Sequence, residues 1–216
     1  MSSKAKKSKS EAILPAIQQR SKDKRDRLLQ AGGKSFATLG YEKTRVIDLA
    51  DAVGISVGVF YQRFKGKREF FDALEDDIIQ RGREQWRIFF LETDGQGSAQ
   101  SFFEQFVKRL AQTISDDIGF YRGMITLGHH DKSVSGKIAE IDIYIRELLM
   151  DSLIERRFLA EGLVSEERLF MAYSMAAKTL LVMLLNEVGP LGGLDPATHR
   201  ELARMFVSYL GIKEPD

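Results

Sequence analysis

The hydrophobic positions of this chain recur with helical spacing along almost its whole length. Alternating apolar and polar runs, which would indicate strands, are lacking, and no proline occurs between Ala16 and Gly189. The spacing predicts helices over about 67–91, 99–115, 119–127 and 166–188, a long helix ending at Gly162, and a last helix after Asp195-Pro196. The pattern therefore predicts an all-α protein.

Two short helices joined by a tight turn are predicted between Thr44 and Lys67. Thr44 is placed to cap the first helix, which has apolar residues on one face, as a core face requires: Val46, Leu49, Ala50 and Val53. Gly54 can take the positive φ that ends this helix, and Ser56 is placed to cap a second one that runs to about Phe64. Such a helix-turn-helix is a way of placing a helix in the DNA major groove.

The second short helix has two different sides. Phe60 and Phe64 lie together on one side, whereas another arc carries Gly58, Tyr61 and Gln62, flanked by Val57 and Val59. Glycine costs roughly 1 kcal/mol relative to alanine inside a helix, so Gly58 indicates a place where something approaches the backbone closely. A DNA backbone or base edge fits that requirement.

The residues from Asp26 to Leu74 carry a resemblance to a known family. The run GISVGVFYQRFKGKREF, preceded by LGYEKTRVIDLADAV, resembles the helix-turn-helix region of the tetracycline-repressor (TetR) family of bacterial regulators. Its most specific positions are Gly40-Tyr41, Thr44, Leu49-Ala50, Gly54-Ile55-Ser56, Gly58, Phe60-Tyr61, Phe64 and Lys67. The resemblance implies an N-terminal three-helix DNA-binding domain, followed by a helical bundle that binds a ligand and dimerises.

The resemblance also implies roles for individual residues. Phosphate contacts are expected from Thr44, Tyr61 and Lys67, and positions at or near base edges are expected for Arg45, Val57, Gly58, Val59 and Gln62, after the cap Ser56. Two positions depart from the family pattern. Gly32-Gly33 replaces an alanine-rich stretch of the first helix, and Val59 stands where threonine is common, which favours an apolar contact such as one to a thymine methyl group.

Charge is divided unevenly along the chain. Residues 1–68 hold 16 Lys and Arg against 6 Asp and Glu, a net charge of +10, whereas the remaining residues hold 16 against 25, a net charge of −9. A basic segment that contains a helix-turn-helix is the electrostatic pattern expected for phosphate binding. The domain organisation that we predict is a basic flexible arm (1–21), a DNA-binding domain (22–68) and a helical effector-binding and dimerisation domain (69–216).

The basic arm leaves two alternatives open. Its lysines, Lys4, Lys6, Lys7 and Lys9, are spaced by serines and predict a disordered segment. Such an arm either adds nonspecific affinity or reaches a minor groove, as arms of the resembled family sometimes do, or it is a solvated tail without any contact to DNA.

The helix predicted over 166–188 bears on assembly. It is apolar nearly all round, which is more than one buried face requires, so we expect it to pack both inward and against a partner. In the resembled family the final two helices form a homodimer through a four-helix bundle. The second short helices of the two copies, about 34 Å apart, would then read a palindromic operator. The alternative is a central helix buried within a monomer.

Aromatic and methionine side chains are the candidates for an effector pocket, because such side chains line most ligand cavities. The resemblance implies a small-molecule effector of unknown identity, and each candidate has the alternative of being a core residue: Trp86, Phe90, Phe103, Phe106, Tyr121, Met124, His129, Tyr144 and Tyr173. The pair His129-His130 allows a metal ligand, a ligand contact, or a capping or surface role, and we expect no metal site and no cofactor.

Several classes of protein are not expected. The chain has no cysteine, which excludes disulfides and thiolate chemistry, and it has neither an uninterrupted apolar run of membrane-spanning length nor the apolar run of a signal peptide. We expect a cytoplasmic protein that is not an enzyme, because no nucleophile–base spacing, phosphate loop or paired carboxylates are found. The alternatives to a ligand-responsive repressor are a DNA-binding regulator without a small-molecule ligand and a helical carrier or enzyme.

Overall fold

The computed structural model describes residues 3–93, 97–128, 136–158, 165–186 and 192–212, with side chains described from residue 21 onward. Their regular secondary structure consists of helices only, which confirms the all-α prediction for the described part of the chain. In chain order the helices are α1 (Ser3–Lys43), α2 (Val46–Ala52), α3 (Val57–Tyr61), α4 (Lys67–Glu92), α5 (Ala99–Asp116), α6 (Ile118–Gly128), α7 (Gly136–Glu155), α8 (Glu166–Asn186) and α9 (Pro196–Leu210).

The chain divides into two compact units, Met1–Leu74 and Glu75–Asp216. Helix α4 begins in the first unit and continues into the second, so the two units share one covalently continuous helix. The N-terminal unit contains the helix-turn-helix, and the C-terminal unit contains the helical bundle. The order of the two units is the one that the sequence predicted, although the division lies six residues after the predicted one at 68–69.

The core of the N-terminal unit is largely aromatic. Rings of Phe36, Phe60 and Phe64 lie around Phe70, with centroid distances of 6.2, 5.6 and 5.2 Å. Phe70 and Phe60 are completely buried, so the recognition helix α3 is held by the same cluster that holds the start of α4. Gly32 packs directly against the Phe70 ring, because a Cβ added at position 32 would lie 2.4 Å from two of its ring carbons.

Helix α1 differs from the sequence prediction at its beginning. The sequence predicted a flexible arm over 1–21, whereas α1 begins at Ser3. Lysine and alanine favour helices and together supply seven of the residues from Ser3 to Ser21, which gives a physical reason for a helix there. Near its other end, Gly40 has a φ of 79°, and this left-handed residue bends the chain before Tyr41.

The turn of the helix-turn-helix has the predicted geometry. Gly54 has a φ of 68°, and Ser56 caps α3 by accepting the backbone N–H of Val59 at 3.3 Å, so both predictions are confirmed. The recognition helix ends at Tyr61 rather than at Phe64, although the N–H of Phe64 still donates to the carbonyl of Phe60 at 3.0 Å. The helical path therefore continues as turns for about one further turn.

The predicted capping role of Thr44 is wrong. Arg45 is the N-cap residue of α2, and no side chain caps that helix. The hydroxyl of Thr44 instead donates to the carbonyl of Gly40 at 2.8 Å, and Thr44 is 1% exposed. The bend at Gly40 leaves the Gly40 carbonyl close to Thr44. The Thr44 hydroxyl therefore bonds to this carbonyl and does not cap the start of α2.

The C-terminal unit is organised around α5, which packs against both α8 and α9. Helix α5 buries one complete face, as its apolar positions three and four apart require: Ala99, Phe102, Phe103, Phe106, Val107, Leu110, Ala111 and Ile114. The ring of Phe103 stacks on Phe206 of α9 at a centroid distance of 4.6 Å. The start of α9 is as predicted, because Asp195 caps it by accepting from Ala197 and Pro196 occupies its first turn.

Helix α7 ends earlier than the sequence predicted. It ends at Glu155 instead of Gly162, a residue that lies outside the described ranges. Arg157 takes a left-handed φ of 59°, and the N–H of Phe158 donates to the carbonyl of Leu153 at 3.1 Å, which is the bond that closes a Schellman motif. Phe158 is then buried against Phe102, with ring centroids 6.0 Å apart. Burial of this ring favours an early end that local helix signals do not reveal.

Helix α8 has one buried side and one exposed apolar side. The residues that face the core are Leu169, Ala172, Tyr173, Ala176 and Leu180. Large apolar side chains remain exposed along the helix: Phe170, Met171, Met175 and Val182. Among the described residues, α8 is also the one helix long and apolar enough to cross a membrane, and a core helix of a soluble protein passes the same test of length and composition.

Candidate nucleic-acid interface and effector pocket

The outer face of α3 is the candidate reading surface. Tyr61 is 54% exposed and Gln62 is also exposed, whereas Phe60 on the opposite side is completely buried. The exposed arc also contains Gly58 and is flanked by half-buried Val57 and Val59, in agreement with their helical spacing. The α3 residues for which base or phosphate contacts were predicted therefore lie on or beside one exposed face.

Gly58 has no packing reason within the described part of the chain. A Cβ at this position would meet only the hydroxyl oxygen of Ser56, at an ordinary contact distance of 3.8 Å. Gly58 is exposed near the beginning of α3. Glycine destabilises a helix relative to alanine, so its presence here is consistent with close approach of a molecule outside the unit.

Two of the predicted phosphate contacts lie at residues that also hold the unit together. Lys67 donates from Nζ to the carbonyls of Tyr41 and Glu42, at 2.7 and 3.0 Å, and thereby neutralises the negative end of α1. Thr44 is buried and donates to Gly40. The ammonium group of Lys67 has a third N–H that is not used in these two bonds. Lys67 and Thr44 therefore both have a structural role, and their phosphate contacts stay predictions.

Two side chains next to the candidate interface were not predicted from the sequence. Asp48 accepts two hydrogen bonds from Arg45, and Arg63 donates from Nη2 to the hydroxyl of Ser21 at 3.1 Å. The spacing of Arg45 and Asp48, three positions apart at a helix start, was a signal that could have revealed the first pair. The partners of the second pair are 42 positions apart, so only folding brings them together.

The candidate pocket residues lie in the core of the C-terminal unit. Buried cluster members are Trp86, Phe103, Phe106 and Tyr173, and the partly buried residues packed against them include Phe90, Tyr121 and Tyr144. Met124 is half-buried on α6, and His129 and His130 lie outside the described residues. The structure therefore brings most of the candidates together, and their contact with an effector stays a prediction.

A polar pair lies within this apolar region. The hydroxyl of Tyr173 donates to Oδ1 of Asp142 at 2.8 Å. Burial raises the pKa of the Asp142 carboxyl, although the hydrogen bond from Tyr173 opposes the shift. Burial, together with the nearby charge of Asp142, also raises the pKa of Tyr121. A carboxyl group and two phenol groups thus lie among the apolar side chains of this core.

Trp86 contributes a further polar group to the same region. Its side chain is completely buried among Phe89, Phe90 and Phe106, with ring centroids 5.5, 6.0 and 5.3 Å away. Within the described part of the chain, its indole N–H has no hydrogen-bond partner. A buried donor without an acceptor costs about 1–3 kcal/mol, which an acceptor atom of a bound molecule would recover.

Comparison with known proteins places the N-terminal unit in a family. Residues 28–74 match the family model for bacterial regulatory proteins of the tetR family. This range begins in α1, includes α2 and α3 and ends in α4, so it contains the whole helix-turn-helix. No curated protein sequence is similar enough to this chain to count as a relative.

Solved structures share the fold over most of the chain. A protein described as a TetR-family transcriptional regulator from Mesorhizobium loti MAFF303099 is 14% identical, with a TM-score of 0.69 over 88% of this chain and 97% of its own. The fatty acid degradation regulator FadR from Bacillus halodurans is 17% identical, with a TM-score of 0.65 over 86% and 97%. FadR from Bacillus subtilis, solved with stearoyl-CoA, is 18% identical, with a TM-score of 0.65 over 84% and 97%.

The sequence match and the fold agree with the exposed arc of α3 and with the basic charge of the N-terminal region. Together they identify the N-terminal unit as a helix-turn-helix domain of the tetR family of bacterial regulatory proteins, and the chain has the fold of TetR-family transcriptional regulators.

Proposed function

We propose that this regulator is a homodimeric repressor that binds a palindromic operator and is released from it when a small molecule occupies the helical unit. The observation that carries the proposal is the exposed arc of α3, where Gly58, Tyr61 and Gln62 face outward from a buried aromatic core. The recognition helix α3 has five residues and covers few base pairs, so a second copy of the chain is needed for selective binding. We propose the cytoplasm as the place of action, where bacterial DNA is found.

The dimer is proposed to form through α8 and α9. Phe170, Met171 and Val182 of α8 are 46%, 47% and 51% exposed, and Tyr209 of α9 is 36% exposed. An apolar surface of this kind is a recognised feature of subunit interfaces. Burial of this surface in a second copy would explain why α8 is apolar on the side that does not face its own core.

The proposed effector has an apolar body and at least one polar group. The aromatic side chains around Trp86 favour the apolar body, and the unpaired indole N–H together with the Tyr173–Asp142 pair favours a polar group. Because a similar structure contains stearoyl-CoA, long-chain acyl-CoA molecules are the first compounds to test. Binding releases the operator only if the effector prefers a conformation with low DNA affinity.

Selection from a random duplex library tests the DNA-binding part of the proposal. We expect enrichment of a palindrome and a steep fall in affinity with salt, because phosphate contacts release counterions. Gln62→Ala should relax the preference at particular base pairs, by about 1–3 kcal/mol if its contact is bidentate. The matched variant Tyr61→Phe removes only a hydroxyl group and should weaken binding to all sequences equally.

The selected duplex then serves as the probe for the effector. Stearoyl-CoA, added to the complex, is expected to release the duplex, whereas CoA without its acyl chain is not. Failure of any palindrome to appear, with a folded protein, would overturn the operator-binding proposal. Enrichment of a palindrome without release by any apolar ligand would favour a regulator that does not use a small molecule.

A further inference from the structure

The side chains of Arg45 and Asp48 form a two-bond pair at the start of α2. Nε of Arg45 donates to Oδ2 of Asp48 at 2.9 Å, and Nη2 donates to Oδ1 at 2.7 Å. The Arg45 side chain is 73% exposed, and that of Asp48 is 35% exposed. The hydrogen bond raises the pKa of Arg45 and lowers the pKa of Asp48, so both groups are charged at neutral pH.

Such an exposed pair contributes little to the stability of the fold. Its consequence is geometric, because two bonds fix the plane of a guanidinium group that would otherwise rotate freely. Arg45 itself is the N-cap residue of α2, with extended backbone angles, so its backbone is fixed as well. The Arg45 side chain is therefore held in one orientation before any DNA is bound.

The edge that remains free is the one that matches guanine. A guanidinium group has five N–H donors, and the Asp48 pair occupies the Nε side. The opposite edge keeps one N–H on each terminal nitrogen, and these two parallel donors fit O6 and N7 of guanine in the major groove. Asp48 thus leaves the base-reading edge of Arg45 open and closes the other one.

The same pair disfavours a phosphate as the partner of Arg45. A carboxylate at hydrogen-bond distance cancels most of the charge that would attract a phosphate, and it repels the phosphate directly. A guanine edge is neutral, so it is not repelled in this way. Charge and geometry therefore both favour base reading.

We propose that Asp48 is a positioning residue, which holds Arg45 so that it reads a guanine in each half of the operator. This inference rests on the operator-binding function proposed above. The preference for guanine then belongs to the pair of residues and not to Arg45 alone. Asp48 itself does not need to contact DNA.

The test compares selections from the same random duplex library with the wild type and four variants: Arg45→Ala, Asp48→Ala, Asp51→Ala and Asp48→Asn. With Arg45→Ala and with Asp48→Ala, we expect one guanine position to lose its preference in each half-site, by about 5- to 150-fold against other bases for Arg45→Ala and by less for Asp48→Ala. Asp51→Ala is the matched control, because it removes the same charge from the same helix, while Arg45 pairs with Asp48. It should leave that guanine preference intact.

The control also separates positioning from general electrostatics. Removal of either carboxylate makes the DNA-binding unit more basic, so electrostatics alone predicts tighter binding to all duplexes by both Asp48→Ala and Asp51→Ala. Positioning predicts that Asp48→Ala loses discrimination between guanine and other bases and that Asp51→Ala does not. Asp48→Asn keeps one acceptor for Arg45 and should retain an intermediate preference, which a general loss of folding would not produce.

Different outcomes identify which proposal has failed. If the wild type enriches no operator, the operator-binding function itself is wrong. If an operator is enriched but Asp48→Ala retains every base preference, the positioning role is wrong while the function stands. A guanine preference that survives Arg45→Ala would likewise overturn the assignment of that base to Arg45.

Discussion

Replacement of Gly32 by alanine is expected to destabilise the N-terminal unit, although alanine is the better helix former. A Cβ at position 32 would lie 2.4 Å from Cε1 and Cζ of Phe70. Phe70 is completely buried against Phe36, Phe60 and Phe64, so its ring cannot turn away into solvent. Either the ring or α1 must move.

Gly33 provides the matched control in the same helix. A Cβ at position 33 would meet no atom within 4 Å, so Gly33→Ala gains helix propensity without a clash. That gain is roughly 1 kcal/mol. Gly32→Ala has the same gain, but overpacking of a core typically costs about 1–3 kcal/mol. The two variants should therefore differ by about 1–3 kcal/mol in the free energy of unfolding, with Gly32→Ala the less stable.

Hydrogen exchange measured by mass spectrometry suits this comparison because it reports each unit of the protein separately. In peptides covering residues 28–36, exchange should be about 5- to 150-fold faster in Gly32→Ala than in Gly33→Ala, since about 1.4 kcal/mol corresponds to a factor of ten. Peptides from α5 should be unchanged. Equal protection of residues 28–36 in both variants would refute the reasoning, because the Phe70 ring would then move aside without cost.

Three further predictions concern stability, the effector and assembly. Lys67→Ala should destabilise the N-terminal unit by about 1 kcal/mol, because the end of α1 loses a charged donor; unchanged hydrogen exchange there would contradict the capping role. Trp86 is the single tryptophan of the chain and is completely buried, so its fluorescence should change at the same stearoyl-CoA concentration that releases the operator. Release of DNA without any change in emission would mean that the ligand binds away from Trp86. Met175→Glu should reduce the mass in solution from twice 24.5 kDa to 24.5 kDa, whereas Gln105→Glu, which adds the same charge to an exposed position on α5, should leave the dimer intact. A dimer that survives Met175→Glu would place the interface elsewhere.

The sequence by itself determined the features that depend on neighbouring residues. The helical period predicted the class of fold, Gly54 and Ser56 predicted the turn and the cap of α3, and Asp195 predicted the start of α9. These signals are readable because a cap or a turn is completed within about four positions of the chain. The exposed arc of α3 was likewise predictable, since helical spacing alone separates Phe60 from Tyr61 and Gln62.

Only the tertiary structure decided the features that depend on distant partners. Gly32 faces Phe70, 38 positions away, so its role could not be read from the helix that contains it. Helix α7 ends at Glu155 because Phe158 is buried against Phe102, although a glycine further along gave the stronger local signal. Thr44 bonds to a carbonyl only four positions away, but that carbonyl is within reach because the folded chain bends at Gly40. In each case a long-range contact or a bend of the chain outweighed a local preference, because burial and hydrogen bonding in the folded core are worth more than the few tenths of a kcal/mol, up to about 1 kcal/mol, that separate local alternatives.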